Sequence, residues 1–513
     1  MCPFMICPGL LVSLTYIALF IIGISQVSAL SSNEDINNSE LLVNTPAKNT
    51  SCISYEKEQK LIRVQCKSMH LTDIYKQIND PSILGIENRT EGTISSMDQA
   101  NTWILDAGIV VEKEGGLIID SSDTSWLKIT STPTLQLKQP NNVSDHNAPT
   151  QIAVTKQKHH YVTSEKNSNP EKIQDDVIIV SKHNGDNPNG IHVHGSLIID
   201  GVRITSWDPE ENDVVAFNHG KRTGEEHTKS DYDTAEPRAF IRVSKLATGT
   251  ANITNSELAY LGYSCSRCAG LSYYGGDGSV IKNNNIHHLL KGFYSKSMGY
   301  MLIEDNEFHD NYLYGIDPHT GSHDMVIRNN IVYNNNASGI ICSKHCYNLL
   351  IEDNKVYRNQ GVGRGIAFSI NTTNSIARNN EVFENERCIS FNRESNYNQV
   401  YNNSISNCEV GIYLSNTSNN SIYGNKIVNS KKGIVIKDDV TNNVTNNLID
   451  KSNTGIAFMS KHATNADPAG AHDARDVDIY LDSLASENVL VDISYPFLLT
   501  KDKFKGLDEF LAP

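Results

Sequence analysis

A chain of 513 residues with 20% charged and 7% aromatic residues has the composition of a folded protein, long enough for one extended solenoid plus a smaller region or for three ordinary domains. Its formal charge of −15 argues against a non-specific nucleic-acid binder and against a protein held electrostatically on an anionic membrane. An anionic substrate would need a local Lys/Arg patch to overcome that repulsive background.

In chain order, the apolar run Gly9 to Ile24 followed by Val27-Ser28-Ala29 predicts an export signal over residues 1–30, cleaved near Ala29. No Lys or Arg precedes the run, and Pro8 to Leu30 is long enough to serve instead as an uncleaved anchor. Either way the rest of the chain is expected outside the cytoplasm: periplasmic, extracellular or on the cell surface. The cysteines agree. Beyond the signal lie Cys52, Cys66, Cys265, Cys268, Cys342, Cys346, Cys388 and Cys408, an even set in an exported chain. Connectivity stays open; Cys388 with Cys408 fits best, because twenty residues is nearly one turn of the repeat described below. Sequons such as Asn88, Asn252 and Asn371 offer glycosylation sites.

Residues 31–103 are expected to form a small N-terminal region, followed by a starting coil at 104–129. A polar, charged insertion spans 139–188, less regular coils follow at 190–208 and 239–263, and a capping segment occupies 465–513. From 292 onward a marker of Gly (once Cys) before an apolar residue recurs at 292, 315, 339, 365, 388, 411, 433 and 455, in steps of 22 to 26 residues. A second marker, Asn-x-[Val/Ile/Phe], keeps the same phase at Asn284, Asn306, Asn330, Asn354, Asn380, Asn403, Asn425 and Asn447. Runs such as "MVIRNNIVY" and "LLIEDNKVY" are too short and β-branched for helices. The expected fold is all-β: a right-handed parallel β-helix over 104–464, its coils stacked about 4.8 Å apart. The recurrent Asn suits an inward turn where stacked amides bond along the axis.

Phase then decides which residues meet. Four positions after the marker stand Lys296, His319, Ser343, Ser369, Asn392, Ser415 and Lys437; two positions after it stand Tyr294, Asp317, Ile341 and Ala367. Lys344 lies beside Ser343, Arg364 just ahead of its Gly, and Arg393 beside Asn392. The stretch "YGIDPHTGSH" (314–323) breaks the monotony with Tyr314, Asp317 and His319. Tyr, His, Asp and Lys on one groove suit removal of the C5 proton of a hexuronate. A cation neutralises charge developing beside the carboxylate, a neutral His takes the proton, and a Tyr returns one from the other face. Loss of the C4 oxygen instead would make the same residues a β-eliminating lyase. The substrate-binding candidates are Lys296, Tyr294, Ser343, Arg364, Ser369 and Arg393. His287, His288, His309 and His323 read as surface or turn residues. A non-catalytic glycan-binding or envelope β-helix is the contrasting reading, and Cys342, His345 and Cys346 would be the ligands of a metal-handling one.

The stretches "YGIDPHT" (314–320) and "GIICSK" (339–344) resemble the mannuronan C5-epimerases of the periplasmic, alginate-export type, which carry YG[IF]DPH[DE] and, one coil later, GIIVSR. The likeness extends through "SWLKI", "ITSWD", "RAFIRV" and "SELAYLGY", over roughly residues 104–450. It implies a β-helical enzyme with His319 as base, Tyr314 as acid, Asp317 orienting the site and Lys344 neutralising the substrate carboxylate. The implied partner is an anionic polysaccharide acted on by a monomer without cofactor or metal. Nucleic acid is not expected, and membrane only through the N-terminal anchor. Two residues depart from the pattern: Thr320 stands where the family has an acid, and Lys344 gives a point charge in place of a bidentate Arg fork.

Overall fold

The structure is a computed structural model. It describes residues 51–87, 100–131, 189–216, 237–263, 267–361, 363–437, 441–459 and 487–499.

Three short strands per coil stack with their equivalents in neighbouring coils. They build three long sheets of 15, 12 and 15 strands among the described residues, parallel except for the pairs at the N-terminal end and one short side pairing at 207–214. The register is one residue type upon itself. Ile303, Ile327, Ile351, Ala377, Val400, Ile422 and Val444 lie in one column, and Phe308, Val332, Val356, Val382, Ile405, Ile427 and Ile449 in another. All are buried, so the alternation of apolar and polar residues in each three-residue strand suffices to form a continuous core.

The Asx-Asn pairs that punctuate the repeat divide two tasks. The first residue takes the left-handed conformation that turns the chain, as at Asp305, Asn329, Asp353, Asn379, Asn402 and Asn446. Asn and Asp tolerate it better than other side chains. The second residue points inward: Asn306, Asn330, Asn354, Asn380, Asn403, Asn425 and Asn447 each donate from Nδ2 to the side-chain oxygen of the Asn one coil on, at 2.9–3.0 Å. Each also donates to a backbone carbonyl of the coil before, such as Asn354 to Ile327 at 2.9 Å. Shorter ladders run through Asn311, Asn335 and Asn359 and through Asn398, Asn420 and Asn442. The expected stacked amides are therefore present.

The N-terminal end differs from expectation. Strands Leu61–Val64, Met69–His70 and Leu84–Ile86 join the three sheets, so over residues 51–87 the chain is the first coil of the solenoid. The open edge of a sheet stack needs covering. Ile53–Glu56 folds back antiparallel, and helix Leu71–Ile78 adds Leu71 and Ile74 to the core. These local devices carry no 22-residue repeat for the eye to follow. A disulfide joins Cys52 to Cys66 across this hairpin, and Cys388 is bonded to Cys408 as its spacing suggests. At the other end Val489–Val491 and Tyr495–Leu499 add one further parallel coil. The signal segment, the insertion at 139–188 and most of the expected capping segment lie outside the described residues.

Candidate active site

Five adjacent strands of one sheet carry the stripe: Lys291–Lys296, Ile316–His319, Ile340–Cys342, Arg364–Ser369 and Arg387–Asn392. Register places Tyr294 beside Asp317 and Lys296 beside His319, while Ser369 stands beside Asn392. The phase count is thus met at its chemically active end.

Asp317 is fully buried, and a buried carboxylate must be paired. Lys291 Nζ lies 2.9 Å from its Oδ2 and the Ser343 hydroxyl donates to its Oδ1 at 2.6 Å. The same ammonium sits 4.2 Å from the centre of the Tyr294 ring and 5.3 Å from that of Tyr314. One lysine from the preceding coil therefore ties together the Asp317 carboxylate and the two phenols of Tyr294 and Tyr314. It was not among the residues singled out by phase. It precedes its marker Gly by one position, just as Tyr314 and Arg364 do, and that shared offset was the signal available.

His319 is half-buried, its ring 5.4 Å from that of Tyr294. Burial lowers its pKa; Asp317 raises it, and Lys291, Lys344 and Lys296 lower it further, so the imidazole is held neutral below the ordinary histidine range. Its Nδ1 is hydrogen-bonded to Thr320 Oγ1, and Nε2 has no hydrogen bond among the described residues. In the tautomer where Nδ1 donates to the hydroxyl, Nε2 carries the lone pair. Thr320, standing where the resembled pattern has an acid, therefore contacts the ring nitrogen opposite Nε2 with a hydroxyl that can donate or accept, where a carboxylate would only accept. Tyr294, by contrast, has its pKa pushed up by burial, then by Tyr274 and Asp317, and remains a phenol.

Lys344, Lys296 and Arg393 are exposed and make no ion pair among the described residues. Arg364 is half-buried near Tyr314; burial and the neighbouring Arg387 lower its pKa, and its buried Nε lacks a hydrogen-bond partner. Arg364 and Arg387 are also in register, and like charges set side by side repel unless an anion lies between them. Arg364 is thus a guanidinium two coils beyond His319 with an unpartnered Nε.

Two expected substrate contacts are instead internal. Ser343 is buried on Asp317, and Ser369 is buried with its hydroxyl on Asn392 Oδ1 at 2.9 Å. Phase gives a residue's column; it does not tell whether a hydroxyl is already satisfied. The Cys342, His345, Cys346 grouping also separates. Both thiols are buried and free, Cys346 donating to Pro318 O, and burial pushes the Cys346 thiol up to about 12. His345 is exposed in a left-handed turn with its Nδ1 on Asn371. A metal needs thiolate and imidazole converging on one point. Among the described residues the grouping at ligand distances is His70, Asp120 and Asp123. His309 and His323 lie in surface ring stacks with Tyr333 and Tyr347.

A family model described as right handed beta helix region matches residues 243–405, and one described as periplasmic copper-binding protein (NosD) matches 365–467. The chain is 26% identical over 147 residues to the mannuronan C5-epimerase of Pseudomonas fluorescens, and 26% identical over 145 residues to that of Pseudomonas putida. Those matches cover 26% of this chain and 24% and 25% of the two relatives, so it spans about a quarter of the length of the curated proteins it matches. A crystal structure of the periplasmic alginate epimerase AlgG superposes with a TM-score of 0.54 at 18% identity, over 86% of this chain and 85% of that one. That likeness establishes the fold as a right-handed parallel β-helix.

Proposed function

We propose that this relative of the mannuronan C5-epimerases inverts C5 of uronate residues within an exported anionic polysaccharide such as poly-mannuronate. The observation that carries the reading is a neutral, half-buried His319 set among Lys291, Lys296 and Lys344, beside a buried Asp317. The substrate carboxylate would lie among Lys344, Lys296 and Arg364. His319 Nε2 takes the C5 proton, and the electron pair left behind spreads into the carboxylate, where those cations stabilise it. Tyr314 then delivers a proton to the opposite face of C5. The Lys291 and Arg364 charges beside its ring stabilise the oxyanion it becomes. Proton exchange with water returns imidazolium and phenolate to their starting states, so the net change is inversion alone.

The protein would act in the periplasm or at the cell surface, as a monomer. Incubation with poly-mannuronate and other polyuronates in D₂O, read by proton NMR, tests the proposal. Inversion with deuterium at C5, abolished in His319→Ala, is the expected result. Alkene signals would identify a lyase, and absence of exchange on every polyuronate would sink the catalytic reading.

A further inference from the structure

One corner of the solenoid, where the catalytic sheet turns into the next, carries a feature that proton transfer leaves unused. Tyr300, Asp324, Asn348, Asn374, Tyr397 and Asn419 take the left-handed conformation there, with φ of 59°, 49°, 55°, 52°, 60° and 55°. Tyr300, Asp324, Asn348 and Tyr397 donate their N–H to the coil that follows, which places them in one column. Asx residues suit that backbone; a bulky ring is strained in it. Burial does not compensate the two tyrosines, which are 66% and 60% exposed. Tyr260, another left-handed tyrosine, is by contrast stacked on His288 at 4.9 Å. Between the two, His323 meets Tyr300 edge-on at 5.6 Å and stacks on Tyr347 at 4.9 Å, with Tyr347 39% exposed.

The aromatic column lies four residues along the chain from the cations. Tyr300 follows Lys296 by four residues and Tyr397 follows Arg393 by four. Around the solenoid, charges of the adjoining face are neutralised in pairs: Lys282 and Arg328 with Glu304, Arg378 with Glu352, Arg358 with Glu384. Lys296, Lys344 and Arg393 have no such partner among the described residues, in a chain whose net charge is −15. Exposed rings beside unneutralised cations match a ligand with apolar ring faces and regularly spaced carboxylates.

We propose that this corner is an auxiliary ledge for the anionic polysaccharide, on which Tyr300 and Tyr397 pack against the C–H faces of pyranose rings flanking the reacting one. The assignment of the sugar rests on the function proposed above; the ledge itself rests on the strained, exposed tyrosines and the cations beside them. Four inter-coil steps separate the two rings, roughly 19 Å along the axis at about 4.8 Å per step. Tyr300 stands one coil before His319 and Tyr397 three coils after it, so the ledge grips a chain extending to both sides of the catalytic coil.

The test replaces both rings by the residue its neighbours use. In the full chain carrying His319→Ala, which prevents turnover, Tyr300→Asn and Tyr397→Asn are introduced together, and binding of poly-mannuronate and of its trisaccharide is measured by calorimetry. Because Asn relieves the backbone, the melting temperature should stay or rise, so lost binding is not misfolding. The expected result is about tenfold weaker polymer binding with trisaccharide binding unchanged, two ring contacts being worth that much. Unchanged polymer affinity, an equal loss for both ligands, or a dimer that dissociates in the variant would each overturn the ledge. Ring-dependent polymer binding without C5 exchange in the wild-type protein would remove the epimerase and leave the ledge. Absence of binding to any polyuronate by the parent would overturn both.

Discussion

Lys291→Met isolates the interaction on which the site is built. Methionine keeps much of the stem packing beneath Tyr294 and Tyr314 and deletes the charge, leaving the fully buried Asp317 with only the Ser343 hydroxyl. Removing one partner of a buried ion pair costs about 3–5 kcal/mol. Lys291 is 17% exposed and Asp317 keeps one hydrogen bond, so the lower end, about 3 kcal/mol, is the expected loss. Solenoids unfold by segments, so hydrogen exchange of strands Lys291–Lys296, Ile316–His319 and Ile340–Cys342 is a better probe than a global melt. Asp317→Asn in the same background removes the stranded charge and should recover much of the loss, giving a coupling energy of about 2 kcal/mol. A coupling below about 0.5 kcal/mol would refute the argument, since it would mean Asp317 is stabilised without Lys291.

Thr320→Asp places a carboxylate on His319 Nδ1 at a left-handed position, φ 33°, that Asp tolerates. On the proposed reading the neutral imidazole is the active form, so activity falls as pH drops through its pKa. That limb should lie below the ordinary histidine range in the wild type and move up in the variant; a kcat/KM profile that moves down or stays refutes His319 as the titrating base. Asn354→Ala removes the acceptor of the Asn330 backbone N–H and Nδ2 and the side-chain donor to Ile327 O, while Asn380 Oδ1 keeps the Asn354 backbone N–H, and should destabilise the neighbouring coils by about 2 kcal/mol. A loss under about 1 kcal/mol in urea unfolding would show that water replaces the ladder. Replacing Cys388 and Cys408 by Ala opens a loop of 20 residues, for an expected loss of about 3 kcal/mol by chain entropy, measured as a shift in the urea midpoint.

Much of this architecture could be read from the chain because a solenoid turns sequence separation into distance. Once two markers share a period, residues one period apart are about 4.8 Å apart, and Tyr294 with Asp317 or Lys296 with His319 follow by counting. Counting fails where the backbone leaves the strand. Lys291 sits ahead of the marker at a strand end, where only its long side chain reaches Asp317. The first coil is not legible by counting because residues 53–64 form a local antiparallel hairpin without the marker. Ser343 and Ser369 show a third limit: their columns were right, yet each hydroxyl satisfies a neighbour inside the protein, a matter of local hydrogen bonding that no period encodes.

The electrostatics of the stripe link binding to basicity. Burial first, and then Lys291, Lys344 and Lys296, hold the His319 pKa down, and on the proposed reading Lys344 and Lys296 are also cations that attract the substrate. A bound carboxylate partly cancels their field at the imidazole, so the base gains strength when a uronate is in place and is weakest in the empty groove. Asp317 cannot supply that change, since its charge is buried and already committed to Lys291. The acid limb of kcat, which reports the occupied enzyme, should therefore lie above that of kcat/KM, which reports the free one. Neutralising Lys344 by Lys344→Met should narrow the gap by raising the free-enzyme limb while weakening binding. If the two limbs coincide, the carboxylate is bound away from these lysines, and Arg364 becomes its principal partner.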